Sequence, residues 1–235
     1  MKWKFLVLIL LGIISFGNAA QAASRASEFI VCIDPGHPSE TSDGATGNGL
    51  SENTLNWQVA QRLAALLKAR GVKYVMTKTS LHQRVTNRRR AEIANGANAY
   101  HQPCALFLRL HCDTGSGRGY TWYYPSQSAR KGNVVGPPPA ICAASGRAAH
   151  VLNAVMKSIL KGHLQDNPVK TDKSTFVGSK QGALTGSIFA RVPTALIEMC
   201  FINQKHDARF IASTQGQELM ARAIVNGILA WKNQH

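Results

Sequence analysis

The chain has 235 residues, 45% of them hydrophobic, enough to bury the core of one large domain and too many for a disordered segment. Its formal net charge of +15 would point to nucleic acid in the cytosol; in an exported chain the matching anions are wall polymers, acidic lipids and acidic peptide stems. Five cysteines without a C-x-x-C pair exclude a zinc ribbon or thioredoxin-type motif, and their odd number leaves at least one thiol free or paired between chains.

Residues 1–22 have the plan of a secretory signal peptide. Lys2 and Lys4 precede an apolar run from Phe5 to Phe16, and Ala20-Gln21-Ala22 fits a cleavage site, so the mature domain is expected to span 23–235. The run is short for a bilayer span, and no cysteine near the cleavage region would take a lipid. A periplasmic or extracellular location is the expectation. Phe29 to Asp34 (FIVCID) then reads as a buried strand that stops at Pro35-Gly36. From Leu55 to Arg70, Leu55, Val59, Leu63, Leu66 and Leu67 form one helical stripe closed by Gly71, and Val72 to Thr77 is the next strand. This β-α-β order predicts an α/β fold: a single domain with a twisted, mostly parallel or mixed sheet flanked by helices.

Val85 to Ala99 is a second helix candidate. It holds the densest basic cluster, Arg84 with Arg88-Arg89-Arg90, which reads as a solvated helix face in preference to a docking patch. Ala105 to His111 and Tyr120 to Tyr124 are strands. Ser126 to Gly146, with Gly136-Pro137-Pro138-Pro139, reads as an irregular surface loop. Arg147 to Lys161 is a third helix, and Gly162 to Gly186 reads as loops and short strands. Thr194 to Met199 (TALIEM) is a strand, and Gln217 to Trp231 a closing helix.

Three strands finish near a polar residue suited to chemistry: His37, His111 and Glu198. In an open α/β sheet, ligands gather beyond the carboxyl ends of the strands. Glu198 in an apolar strand would cost several kcal/mol if unpaired, so it answers either a structural ion pair or a reaction. Zinc hydrolases hold their metal with three N or O side chains and leave one position to water; His37, Glu52 and His111 supply such a set. The spacing is irregular, and the helical zinc motifs HExxH and HxxEH are absent.

The order of motifs is more specific. Asp34-Pro35-Gly36-His37, Asp43-Gly44-Ala45, Gly49-Leu50-Ser51-Glu52, Arg90 to Asn95, Leu110 to Asp113, Pro193 to Glu198, Phe201-Ile202-Asn203 and Asp207 follow one another across the mature chain. This series resembles the zinc-dependent N-acetylmuramoyl-L-alanine amidases of the amidase-3 type, which are cell-wall hydrolases. The resemblance implies one zinc ion on His37, Glu52 and His111, with Glu198 as the catalytic glutamate. It implies hydrolysis of the amide between N-acetylmuramic acid and the L-alanine of the peptidoglycan stem.

The chain departs from the family's usual pattern at Pro38-Ser39, at Cys112-Asp113 and at Cys200-Phe201, where Cys200 stands in place of a glycine. Cys112 and Cys200 thus both flank site residues, as a disulfide or as a stray metal ligand. The expected partner is peptidoglycan, with electrostatic contact to anionic wall or lipid, no nucleic acid, and a monomeric state. Two rival readings stay open: a zinc peptidase that cuts within the stem, and a basic module that binds the wall without catalysis.

Overall fold

The computed structural model describes residues 28–234, so the expected signal peptide and its cleavage site lie outside the described residues. The chain runs β1 (Ile30–Pro35), a short hairpin of β2 (Thr46–Gly47) and β3 (Leu50–Ser51), α1 (Glu52–Ala69), β4 (Lys73–Met76), α2 (Asn87–Ala94), β5 (Leu106–Asp113) and β6 (Thr121–Tyr124). A second hairpin, β7 (Ala129–Lys131) and β8 (Val134–Gly136), precedes α3 (Pro139–Leu160) and β9 (Lys170–Thr171). The helices α4 (Phe176–Gln181) and α5 (Thr185–Phe189), β10 (Thr194–Phe201), α6 (Lys205–Ala212) and α7 (Thr214–Lys232) complete it. Six strands form one sheet in the order β4-β1-β5-β10-β6-β9. The first four are parallel, β6 is antiparallel to β10, and β9 runs parallel to β6. This is the mixed, helix-flanked sheet of a single domain that the sequence leads one to expect.

The two faces of the sheet differ because side chains alternate along a strand. Val31 and Ile33 of β1, Leu106, Leu108 and Leu110 of β5, and Ala195, Ile197 and Met199 of β10 share one apolar cluster with α1, α3 and α7. Leu55, Val59, Leu63 and Leu67 on α1 are buried there; each such side chain contributes roughly 1.5–3 kcal/mol by leaving water. Ile30, Cys32 and Phe107 face the other way, in a smaller cluster with Ala91 and Ala94 of α2 and with Ala190. The helix α1 ends in a Schellman turn. Gly71 takes φ +65°, its N–H bonds Lys68 O, and the Val72 N–H bonds Leu67 O. The turn drops the chain directly into β4.

Several boundaries differ from the sequence reading. The expected loop from Ser126 to Gly146 contains the β7–β8 hairpin and the first two turns of α3, which starts at Pro139 and not near Arg147. A proline fits the first helical position because its missing N–H has no intrahelical partner there. The second helix is shorter than Val85–Ala99, beginning after Thr86, whose side chain accepts the Arg89 N–H. Two short helices lie in or next to the Gly162–Gly186 stretch, and α6 precedes the closing helix.

Candidate active site

The site forms where β1 and β5 end and α1 begins. Gly36 is required there because the His111 ring lies flat against it; a Cβ at Gly36 would sit 2.4 Å from His111 Cε1. His37 follows with φ +61°, a left-handed conformation that costs a residue with a side chain roughly 1–3 kcal/mol. Its loop is held from several sides. Ser42 O lies 3.2 Å from His37 Nδ1, Lys78 Nζ donates to His37 O at 2.5 Å, and Arg90 Nη2 donates to Pro38 O at 2.9 Å. Burial pulls the Lys78 ammonium down to about 8, with the nearby Arg90 acting in the same direction.

Glu52 opens α1, the helix that covers the apolar face, and its carboxylate reaches around the strand ends to the opposite side. The Ala45 N–H, just before β2, donates to Oε2 at 2.7 Å, and the Cys112 N–H donates to Oε1 at 3.2 Å. Oε1 also lies 3.3 Å from His37 Nε2 and 2.9 Å from His111 Nδ1. Burial opposes ionisation of Glu52, but the hydrogen bonds and charges of His111 and His37 outweigh it and hold the carboxyl well below the usual carboxylate range. Burial likewise drives His111 down to about 4 against the pull of Glu52, so its imidazole is neutral at pH 7.

Glu198 lies within β10, which continues to Phe201, and not at a strand end as the sequence suggests. The β5–β10 register pairs it with His111, just before a break in the ladder between Glu198 and Phe201. Its Oε2 is buried without a hydrogen-bond partner among the described residues. Burial, with Glu52, Asp113 and Cys200 nearby, pushes its carboxyl well above the ordinary value. No cation among the described residues pairs with it, which removes the support for a structural ion-pair reading of Glu198.

The structure therefore brings all four expected residues together. Donor atoms of His37, Glu52 and His111 all lie within 4.8 Å of one another, and no other such cluster occurs among the described residues. His111 Nε2 is buried and unpartnered. Converging lone pairs with an orphaned imidazole nitrogen suit a cation, and two imidazoles with one carboxylate suit a divalent transition metal. A cavity of about 230 Å³ opens over them, lined by His37, His111, Glu198, Arg109, Leu196 and Phe176 among others. A larger hollow of about 620 Å³ near Tyr124 and Arg147 includes none of the four, so chemistry and not size identifies the site.

Cys112 and Cys200 do not join the metal-capable cluster. Both belong to the apolar core on the opposite face, with their sulfurs 3.8 Å apart, so neither is a stray ligand. All five cysteines are free and buried thiols in this structure.

Sequence reasoning missed a second set of buried polar residues. Asp34 is fully buried between two guanidinium groups, 2.5 Å from Arg90 Nη1 and 2.9 Å from Arg109 Nε, and it accepts the Thr77 hydroxyl at 2.6 Å. Burial would raise its carboxyl, but the two arginines hold it well below the usual range. Arg90 is thus not part of a solvated face: of the basic cluster, Arg84, Arg88 and Arg89 are exposed and Arg90 is buried.

A family model described as N-acetylmuramoyl-L-alanine amidase, Amidase_3, matches residues 31–230. The chain belongs to the amidase-3 family of N-acetylmuramoyl-L-alanine amidases. It is an enzyme of that class, a hydrolase acting on cell-wall peptidoglycan. YqiI, an uncharacterized protein of Bacillus subtilis, is 29% identical over 237 residues, covering 100% of this chain and 99% of that protein. The N-acetylmuramoyl-L-alanine amidase Rv3717 of Mycobacterium tuberculosis is 26% identical over 240 residues, covering 90% of this chain and 89% of the relative. The crystal structure of the amidase Ami1 from Mycobacterium smegmatis shares the fold, with a TM-score of 0.69 at 22% identity over 88% of this chain and 98% of that one. Activity on the cell wall belongs outside the cytoplasmic membrane. No helix among the described residues is long and apolar enough to cross one.

Proposed function

We propose that this amidase is zinc-dependent, with one ion held by His37, Glu52 and His111, and that Glu198 is its catalytic residue. The observation that carries the reading is the pairing of two incomplete groups across the β5–β10 register: a cluster of metal-type donors, and a buried carboxyl with a free oxygen. A bound zinc ion would supply Lewis acidity to the scissile carbonyl and to water.

The protein's own groups would do the rest. Glu52 Oε1 lies 2.9 Å from His111 Nδ1 and 3.3 Å from His37 Nε2, which keeps the three donor side chains gathered at one place. Glu198 takes a proton from the attacking water on a carboxylate oxygen and delivers it to the nitrogen of the departing L-alanine. A neighbouring divalent cation would draw its raised carboxyl toward the ionised form that a base needs. The scissile bond is the amide between the lactyl group of N-acetylmuramic acid and L-alanine. The signal-peptide reading of residues 1–22 and export of the chain accompany this proposal, as does a basic surface held to anionic wall.

Mass spectrometry of products from purified sacculi tests the reading. The mature protein should release stem peptides with a new L-alanine amino terminus, a chelator should stop release, and zinc should restore it. Fragments cut inside the stem would move the bond to that of a peptidase. Binding without fragments would replace the enzyme with a wall-binding module.

A further inference from the structure

The buried charges beside the site do not balance. Asp34 brings one carboxylate to two guanidinium groups, and both arginines line the catalytic cavity. Arg109 is 4% exposed. Its Nε is taken by Asp34 and its Nη2 by Asn87 Oδ1 at 3.0 Å; Nη1 has no hydrogen-bond acceptor among the described residues. The guanidinium is fixed by its packing: a Cβ at Gly186 would approach its Cζ and Nη1 to 2.7 Å, and the Phe107 ring centroid lies 5.6 Å away. Asp172 has one unpartnered oxygen, Oδ1, but makes no hydrogen bond or ion pair with Arg109 among the described residues, and burial pushes its carboxyl up. A buried cation short of one partner, locked in position and facing a cleft, is a receptor for an anion.

Register locates that anion relative to the reaction. Arg109 and His111 are two apart on one face of β5, and Leu196 and Glu198 stand beside them on β10. Two residues of strand cover about 7 Å, as do two residues of an extended peptide. We propose that Arg109 is a specificity-determining residue that binds the free carboxylate of the acidic stem residue next to the L-alanine. The inference rests on the amidase reading, because it is the stem, leaving through the cleft, that carries this carboxylate.

Two muramoyl tripeptides that differ only in a free α-carboxylate or a carboxamide on the second stem residue provide the test. The mature enzyme should favour the carboxylate by about 10-fold or more in kcat/KM, mostly through KM, as expected for a charge-assisted hydrogen bond. In Arg109→Gln that ratio should fall to near one, and Arg109→Lys should recover part of it. A ratio near one in the unaltered enzyme, or an Arg109→Gln variant that slows both substrates equally, would overturn the proposal. If Arg109→Gln does not fold, the unaltered enzyme and Arg109→Lys decide it. Equilibrium binding of the same peptides to Glu198→Gln gives the preference without turnover. A binding preference with no cleavage by the unaltered enzyme would sink the amidase reading and leave the role of Arg109 standing.

Discussion

The two faces of β5 carry different chemistry on the same eight residues. Leu106, Leu108, Leu110 and Cys112 enter one apolar core beneath α1, α3 and α7. Phe107, Arg109, His111 and Asp113, on the other face, pass from apolar through cation and imidazole to carboxylate toward the strand's end. The first face has no polar group to satisfy and stabilises the fold. The second holds an ion network in which Asp34 faces both Arg90 and Arg109 and, one step along, orphaned atoms on His111 and Glu198. Buried polar atoms normally find partners, and here two that do not, His111 Nε2 and Glu198 Oε2, belong to residues paired across the β5–β10 register. Burial alone does not distinguish core from site: Tyr120 and Trp122 leave polar atoms unpartnered inside the apolar core, whereas the orphaned atoms of His111 and Glu198 lie beside metal-type donors.

That contrast can be broken by substitution. Glu198→Gln should lower kcat by about 10²- to 10⁴-fold, the usual share of a general acid–base, while the melting temperature holds or rises because an unpaired buried carboxyl is gone. Sacculus digestion beside calorimetry would check both halves. Asp34→Asn should destabilise the fold by about 3–5 kcal/mol, since it leaves two buried guanidinium groups uncompensated. The low carboxyl of Asp34 also sets a pH signature. Its stabilising contribution is present above the ordinary carboxyl value of 3.8 and fades as pH falls from there toward its folded value, a slope that acid unfolding of Asp34→Asn should lack.

On the apolar face, Leu63→Ala should cost about 2–5 kcal/mol in urea unfolding, with kcat unchanged on the folded protein. A smaller effect belongs to His111. Its folded value of about 4, against 6.5 when free, means that the unfolded chain binds more protons between those values. The metal-free protein should therefore lose stability as pH falls from about 6.5 toward about 4, and His111→Asn should flatten that part of the profile. Added salt should weaken binding to sacculi if the basic surface holds the wall electrostatically; binding that is indifferent to salt would remove that role.

The four candidate residues stood out through the family resemblance, and three also by their setting: His37 after FIVCID, and His111 and Glu198 in strands of Leu, Phe and Ile. Arg109 interrupts ALFLRLH just as visibly, and period-two alternation would have set it beside His111; the apolar run around it masked that signal. Arg90 was hidden because its neighbours Arg88 and Arg89 face water, and only the packing of α2 against β1 turns it inward. The start of α3 was obscured by prolines, which suit a loop and a helix's first position equally well. The β7–β8 hairpin and α4 have short, polar sequences whose form depends on tertiary contacts.

In the proposed site, His37, Glu52 and His111 hold a metal ion beside Glu198. Metal content of the purified mature protein by plasma mass spectrometry, after exhaustive dialysis, addresses it most directly. One zinc per chain is expected in the unaltered protein and in Glu198→Gln, and its loss in folded Glu52→Gln and His111→Ala. Zinc retained by those two variants, or absent from the unaltered protein, would contradict this assignment.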